Sequence, residues 1–269
     1  MATPQIWNGS SWTPLTADKC SYWNGSSWVV PTDIKYWDGS AWQTIFPGSP
    51  PATIGLRATA SNQANAVNTL DLTIPATVEV GDMLVLVVAQ SFNGSPLFNA
   101  ISGWTKQGEQ RAGAAAYTLA VYTRLAQAGD AGATVTTTST TAENYTAHLR
   151  AYSNVNQTTP LDTAVVFGEA TVTATTASAP AITVTTTGAM IVAVYGVPTT
   201  TGTTLSATDW TDPTGFSDEL TTCTTNTTNN TALATYNMLT PGTGSQGPFA
   251  ATITQSRRWA LATIALRPA

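Results

Sequence analysis

Along most of this chain apolar and polar positions either alternate or run unbroken, a pattern that extended backbone satisfies. Leu70-Asp71-Leu72-Thr73-Ile74 and Tyr117-Thr118-Leu119-Ala120-Val121 alternate with a period of two, which predicts strands buried on one face. Met83-Leu84-Val85-Leu86-Val87-Val88-Ala89 does not alternate, so a central strand covered on both faces is expected there. These runs are bounded by Gly, Pro, Asn and Asp, and none carries a convincing helical period. The predicted fold class is therefore all-β.

A second pattern occupies the N-terminal end. Trp7-Asn8-Gly9-Ser10-Ser11-Trp12 is followed by Trp23-Asn24-Gly25-Ser26-Ser27-Trp28 and by Trp37-Asp38-Gly39-Ser40-Ala41-Trp42. Asn-Gly and Asp-Gly tolerate the positive φ angles of tight turns, so each phrase predicts a hairpin with its two tryptophans facing across the strands. A cross-strand aromatic pair contributes about 0.2–1 kcal/mol. A lone two-stranded hairpin is still marginal in water, so three in succession are expected to stack on one another or on a partner. Trp7, Trp12, Trp23, Trp28, Trp37 and Trp42 are the candidate docking and oligomerisation residues. Residues 1–46 form that segment, and the Pro- and Gly-rich residues 47–51 form a short, stiff linker.

Beyond the linker the chain repeats itself. Val80-Gly81-Asp82-Met83-Leu84-Val85-Leu86-Val87-Val88-Ala89 returns as Thr187-Gly188-Ala189-Met190-Ile191-Val192-Ala193-Val194-Tyr195-Gly196, and Gly103-Trp104-Thr105 as Asp209-Trp210-Thr211. Tyr122-Thr123-Arg124-Leu125 then maps to Tyr236-Asn237-Met238-Leu239, and Tyr145 to Tyr152 maps to Trp259 to Leu266. The order is kept throughout, which marks an internal duplication. The copies span 52–158 and 159–269, each with about seven candidate strands, the size of an immunoglobulin-like or jelly-roll-like antiparallel sandwich. Two tandem sandwiches are favoured over two halves of one larger sandwich, because each copy has its own central strand, Trp and closing strand.

The duplication also sorts structural residues from others. Gly81 and Gly188 precede the central strand in both copies, as a turn needing a permissive backbone requires. Trp104 and Trp210 recur and read as core anchors, whereas Asp82 becomes Ala189. His148 is the single histidine and aligns with Ala262, in a strand-like setting that suits a satisfied structural residue. Neither Glu79 with Asp82 nor Asp218 with Glu219 sits in a recognisable catalytic signature. Phosphate loops, dinucleotide fingerprints, zinc spacings and calcium loops are missing too. The expectation is a non-enzymatic protein with no cofactor and no metal site.

Composition narrows the partners. Charged residues make up 9% of the chain and hydrophobic residues 42%, with a net charge of −5. That suits Thr-faced strands rather than disorder. Without a basic cluster, nucleic acid is not expected. The longest apolar run, Met83 to Ala89, is too short to span a membrane. Met1-Ala2-Thr3-Pro4-Gln5 lacks the basic start and apolar stretch of a secretory signal, so either a processed leader has been removed or the protein is used without export. Cys20 and Cys223 read as incidental thiols. The Asn-x-Ser/Thr triplets at Asn8, Asn24, Asn93, Asn144, Asn156, Asn226 and Asn229 read as chance in a Thr-rich chain.

The phrases Val80-Gly81-Asp82-Met83-Leu84-Val85, Gly103-Trp104-Thr105, Tyr122-Thr123-Arg124-Leu125-Ala126 and Leu149-Arg150-Ala151-Tyr152, in that order, resemble the β-sandwich modules of minor tail proteins and tail fibres of phages infecting Actinobacteria. The second copy, closing with Ala262-Thr263-Ile264-Ala265-Leu266-Arg267-Pro268, resembles the second half of those modules, and the Trp phrases are similar to short repeats in such proteins. The resemblance implies a virion structural protein assembled in the host cytoplasm. Its implied partners are other virion proteins, further copies of itself in a homo-oligomer such as a trimer, and a host-surface glycan; it implies no catalytic residue. Similar modules occur in bacterial surface proteins, so the alternative is a carbohydrate- or cell-wall-binding module using exposed Trp platforms.

Overall fold

The structure is a computed structural model that describes residues 5–7, 10, 12–14, 22–23, 25–26, 28–29, 34–37, 39–46, 52–91, 98–112, 117–199, 204–225, 230–240 and 242–269. Among them the chain is all-β with antiparallel pairing, apart from a short 3-10 turn at Ala207–Asp209. It divides into two compact units, Met1–Ala52 and Thr53–Ala269.

In the N-terminal unit, β1 (Gln5–Trp7) pairs with β2 (Trp12–Pro14), β3 (Tyr22–Trp23) with β4 (Trp28–Val29), and β5 (Ile34–Trp37) with β6 (Trp42–Phe46). The residues paired nearest each turn are tryptophans: Trp7 with Trp12, Trp23 with Trp28, Trp37 with Trp42. Gly25 and Gly39 sit at φ +100° and +98°, a backbone region in which any Cβ is strained, so these turns need glycine. The neighbouring turn positions Asn8, Gly9, Ser11, Asn24, Ser27 and Asp38, together with Cys20 and the linker 47–51, lie outside the described residues. Of Trp7, Trp12 and Trp37 the backbone is described.

In the larger unit, β7 (Gly55–Thr73), β8 (Met83–Ser91), β9 (Thr105–Arg111), β10 (Tyr117–Leu125) and β11 (Thr134–Ser153) form one sheet, ordered β7-β11-β8-β10-β9. The second sheet contains β12 (Val166–Ala179), β14 (Met190–Pro198), β16 (Ser217–Cys223), β17 (Thr231–Leu239) and β19 (Phe249–Leu266), ordered β12-β19-β14-β17-β16. A short β15 (Trp210–Thr211) joins β19, while β13 (Ile182–Val184) pairs with β18 (Gly244–Gln246).

The unbroken apolar run of β8 has a direct cause. Met83, Val85, Val87 and Ala89 enter a core shared by both sheets, while Leu84, Leu86 and Val88 enter a core closed by the first sheet's own long strands. The β7–β11 pairing slips in register between Thr138 and Glu143, near Ala66 at φ 53°. The strands beyond that slip bring Leu70, Leu72, Ile74 and Val135 into the core of Leu84, Leu86 and Leu149. In the second sheet, Met190, Val192 and Val194 of β14 join the shared core, while Ile191, Ala193 and Tyr195 pack with Ile182, Val184, Trp210 and Trp259. Each sheet thus owns a core, and a third lies between them. Each aliphatic side chain so buried contributes roughly 1.5–3 kcal/mol.

The shared core is tight at one point. A Cβ on Gly196 of β14 would lie 2.4 Å from the ring of Tyr117, whose hydroxyl donates to the Ala232 carbonyl at 3.0 Å.

Candidate functional site

Three of the candidate tryptophans have described side chains, and all three face solvent: Trp23 is 54% exposed, Trp28 70% and Trp42 67%. The Trp23 and Trp28 rings meet edge to face, with centroids 5.8 Å apart and planes at 62°. That geometry sets the positive edge of one ring on the negative face of the other and leaves most of both rings wet. At about 25 cal/mol per Å² and roughly 150–250 Å² per aromatic side chain, with 54% to 70% of each residue still exposed, covering one such Trp contributes on the order of 2–4 kcal/mol. The tryptophans of the larger unit behave otherwise. Trp210 and Trp259 are buried and meet edge to face at 5.7 Å, and the half-buried Trp104 carries the Arg124 guanidinium 5.1 Å from its ring centroid.

The carboxylates singled out in the sequence are engaged within the fold. Arg57 pairs with Asp82 at 2.7 Å and with Glu79 at 2.9 Å. Asp218 accepts from the Asn237 amide at 2.9 Å, and Glu219 from the Thr221 hydroxyl at 2.6 Å. Burial pushes the Asp162 carboxyl up, but hydrogen bonds from Thr186, Thr185 and Arg267 outweigh it and hold the group below its ordinary value. Among the described residues no cluster of His, Cys, Asp and Glu could hold a metal ion, and no helix is long and apolar enough to cross a membrane. Asn144 of the Asn-x-Ser/Thr set is buried; Asn8, Asn24, Asn93, Asn226 and Asn229 lie outside the described residues.

His148 sits at 0% exposure on β11, facing the second sheet. Its Nδ1 meets the Thr235 hydroxyl at 3.1 Å and its Nε2 the Thr222 hydroxyl at 2.8 Å. Two residues along the strand, buried Arg150 reaches across the same interface. Its Nε donates to Thr235 Oγ1 at 2.9 Å, its Nη1 to Asn237 Oδ1 at 2.6 Å, and its Nη2 to the carbonyls of Thr235 and Asp218. Burial first, and the Arg150 charge second, hold the His148 pKa well below its ordinary value, so the ring is neutral.

A pH dependence follows. Unfolding exposes a histidine that binds a proton near pH 6.5, while the folded ring resists it, so this group's contribution is complete above about pH 6.5 and is lost as the pH falls. Denaturant melts between pH 6.5 and 5 should show stability falling by up to about 1.4 kcal/mol per pH unit, a slope that His148→Gln removes. A flat profile in the parent protein would contradict the neutral buried ring.

Beside this network, where the edge strands β7 and β16 approach each other, lies an open cleft of about 580 Å³. Ser61, Asn62 and Gln63 line one wall and Thr221, Thr222 and Cys223 the other, with residues 204–207 completing it. Burial pushes the Cys223 thiol up, which keeps it protonated. The sequence marked His148 as structural but not Arg150. The available signal was an arginine between Leu149 and Ala151, at a position where the second copy has Ile264. The cleft has no local signal, because its walls lie more than a hundred residues apart. Comparison with protein-family models, curated proteins and solved structures finds no match.

Proposed function

We propose that this protein is a non-enzymatic structural component of a phage virion, a minor tail, fibre, spike or decoration protein. Its N-terminal tryptophan hairpins dock on the particle or on further copies of the chain, and the larger unit projects outward toward the host surface. The observation that carries the reading is the exposure of Trp23, Trp28 and Trp42 on two-stranded hairpins, in which none of the described side chains is buried. Large exposed aromatics near short β-structure mark surfaces that partners cover.

The same reading takes residues 52–158 and 159–269 as duplicated sandwich copies. It is supported by the identical strand order of the two sheets and by equivalent registers. Val87 of β8 pairs with His148, as Val194 of β14 pairs with Ala262. Rigid, low-charge sandwiches of this kind suit an exposed particle component.

Deletion of residues 1–46 tests the docking role. The truncated chain is expected to keep its β-sheet circular dichroism and cooperative melt, because the cores lie within Thr53–Ala269, while self-association or incorporation into particles is lost. A truncated chain that still assembles, but no longer binds glycans, would instead support Trp platforms for carbohydrate.

A further inference from the structure

The seams on the two sides of the stacked sheets differ. Between β9 and β12 the ring of Phe167 lies against Gly108 so closely that a Cβ there would be 2.5 Å away. Between β7 and β16 the cleft stays open. Phe167 and Ser61 hold equivalent register positions: Phe167 pairs with Ala262 beside Val194, and Ser61 with His148 beside Val87. One seam is filled by a phenyl ring; the other carries a hydroxymethyl group and leaves space.

Among the described residues, the cleft wall contains no Asp, Glu, Lys or Arg and no aromatic ring. Its polar groups are hydroxyls and amides, with the protonated thiol of Cys223 among them. At its base the Thr222 hydroxyl is oriented from behind. A guanidinium only donates, so Thr235 Oγ1 accepts from Arg150 Nε; Thr235 is 0% exposed, its own proton needs an acceptor, and among its contacts that acceptor is His148 Nδ1. The neutral imidazole is thereby assigned its proton on Nε2, which it donates to Thr222 Oγ1, leaving the Thr222 proton for an acceptor in the cleft. The Ser61 hydroxyl and the Gln63 amide on the facing wall are exposed.

We propose that this cleft binds a neutral carbohydrate, with Thr222 as the anchoring donor and the Ser61 and Gln63 side chains as its hydroxyl and amide partners. A carboxylate, sulfate or phosphate would lose its hydration here without meeting a cation, and a purely apolar ligand would strip water from hydroxyls and amides that it cannot replace. A sugar offers neutral hydroxyls that both donate and accept, and the volume suits a small ligand. The inference deepens the outward-facing role proposed above and rests on it only for the source of the glycan.

The test uses the full chain on an array of short neutral, sialylated and sulfated oligosaccharides, followed by calorimetric titration of the strongest neutral binder. Ser61→Phe, which installs the residue of the closed seam, is expected to weaken binding at least about tenfold, and Thr222→Val about five- to tenfold. The same sugar should slow alkylation of Cys223, read on its peptide by mass spectrometry. Thr222→Val keeps the outcome decisive if Ser61→Phe disturbs folding. Binding to no neutral glycan, binding confined to charged glycans or to peptides, or an affinity that both substitutions leave unchanged overturns the proposal. Because binding is read on the purified chain, loss of particle docking and loss of sugar recognition register separately.

Discussion

Arg150→Met is expected to destabilise the larger unit by about 3–5 kcal/mol, a large share of the 5–15 kcal/mol typical of a folded domain. Methionine fills much of the same volume, so the loss is not mainly a cavity. It comes from the Thr235 and Asp218 carbonyls and the Asn237 Oδ1, which the guanidinium now satisfies across the sheet interface. Stripped of that donor, the acceptors on Thr235 and Asn237 lose their charged partner inside a buried interface. The melting temperature should fall by roughly 6–20 °C. Adding Asn237→Leu should recover part of the loss, because removing both partners of a buried hydrogen bond costs far less than removing one. A single substitution costing less than 1 kcal/mol would contradict the reading of Arg150 as the polar tie between the sheets.

Gly196→Ala is the second large effect, with an expected cost of about 1–3 kcal/mol or more from overpacking. Its Cβ would fall 2.4 Å from the Tyr117 ring, and that ring is buried in the shared core. The register pairings make Ala89 the equivalent of Gly196 and Thr231 the equivalent of Tyr117. Across this interface a large residue accompanies glycine, where the equivalent positions carry a smaller residue and alanine. Gly196→Ala combined with Tyr117→Thr, which reproduces the Ala89 and Thr231 pair, should therefore be less destabilised than the sum of the single variants. A double-mutant cycle should give a coupling of about 0.5–3 kcal/mol. Strict additivity would contradict the contact.

Much of this architecture was legible in the sequence. Period-two alternation, unbroken apolar runs and turn residues pointed to an all-β chain, and the run from Met83 to Ala89 is a central strand with a core on each face. The sharing of one core by both sheets was not legible, because tandem and merged sandwiches place identical demands on each strand's own pattern. The placing of Leu70, Leu72 and Val135 against Leu84 and Leu86 follows a register slip of a few residues in Thr-rich segments, where neighbouring registers look alike. For the sites, turn chemistry drew attention to the tryptophans at once. The cleft stayed hidden because it is made by two distant edges and by the smallness of Ser61, and a missing ring leaves no motif.

On the function proposed above, the tryptophan hairpins are covered by another copy of this chain. Size-exclusion chromatography with light scattering on the full chain measures this most directly. The expected mass is a defined multiple of the 28.0 kDa chain, collapsing to a monomer when Trp23, Trp28 and Trp42 are replaced together by serine. A full chain that stays monomeric at high concentration would contradict it.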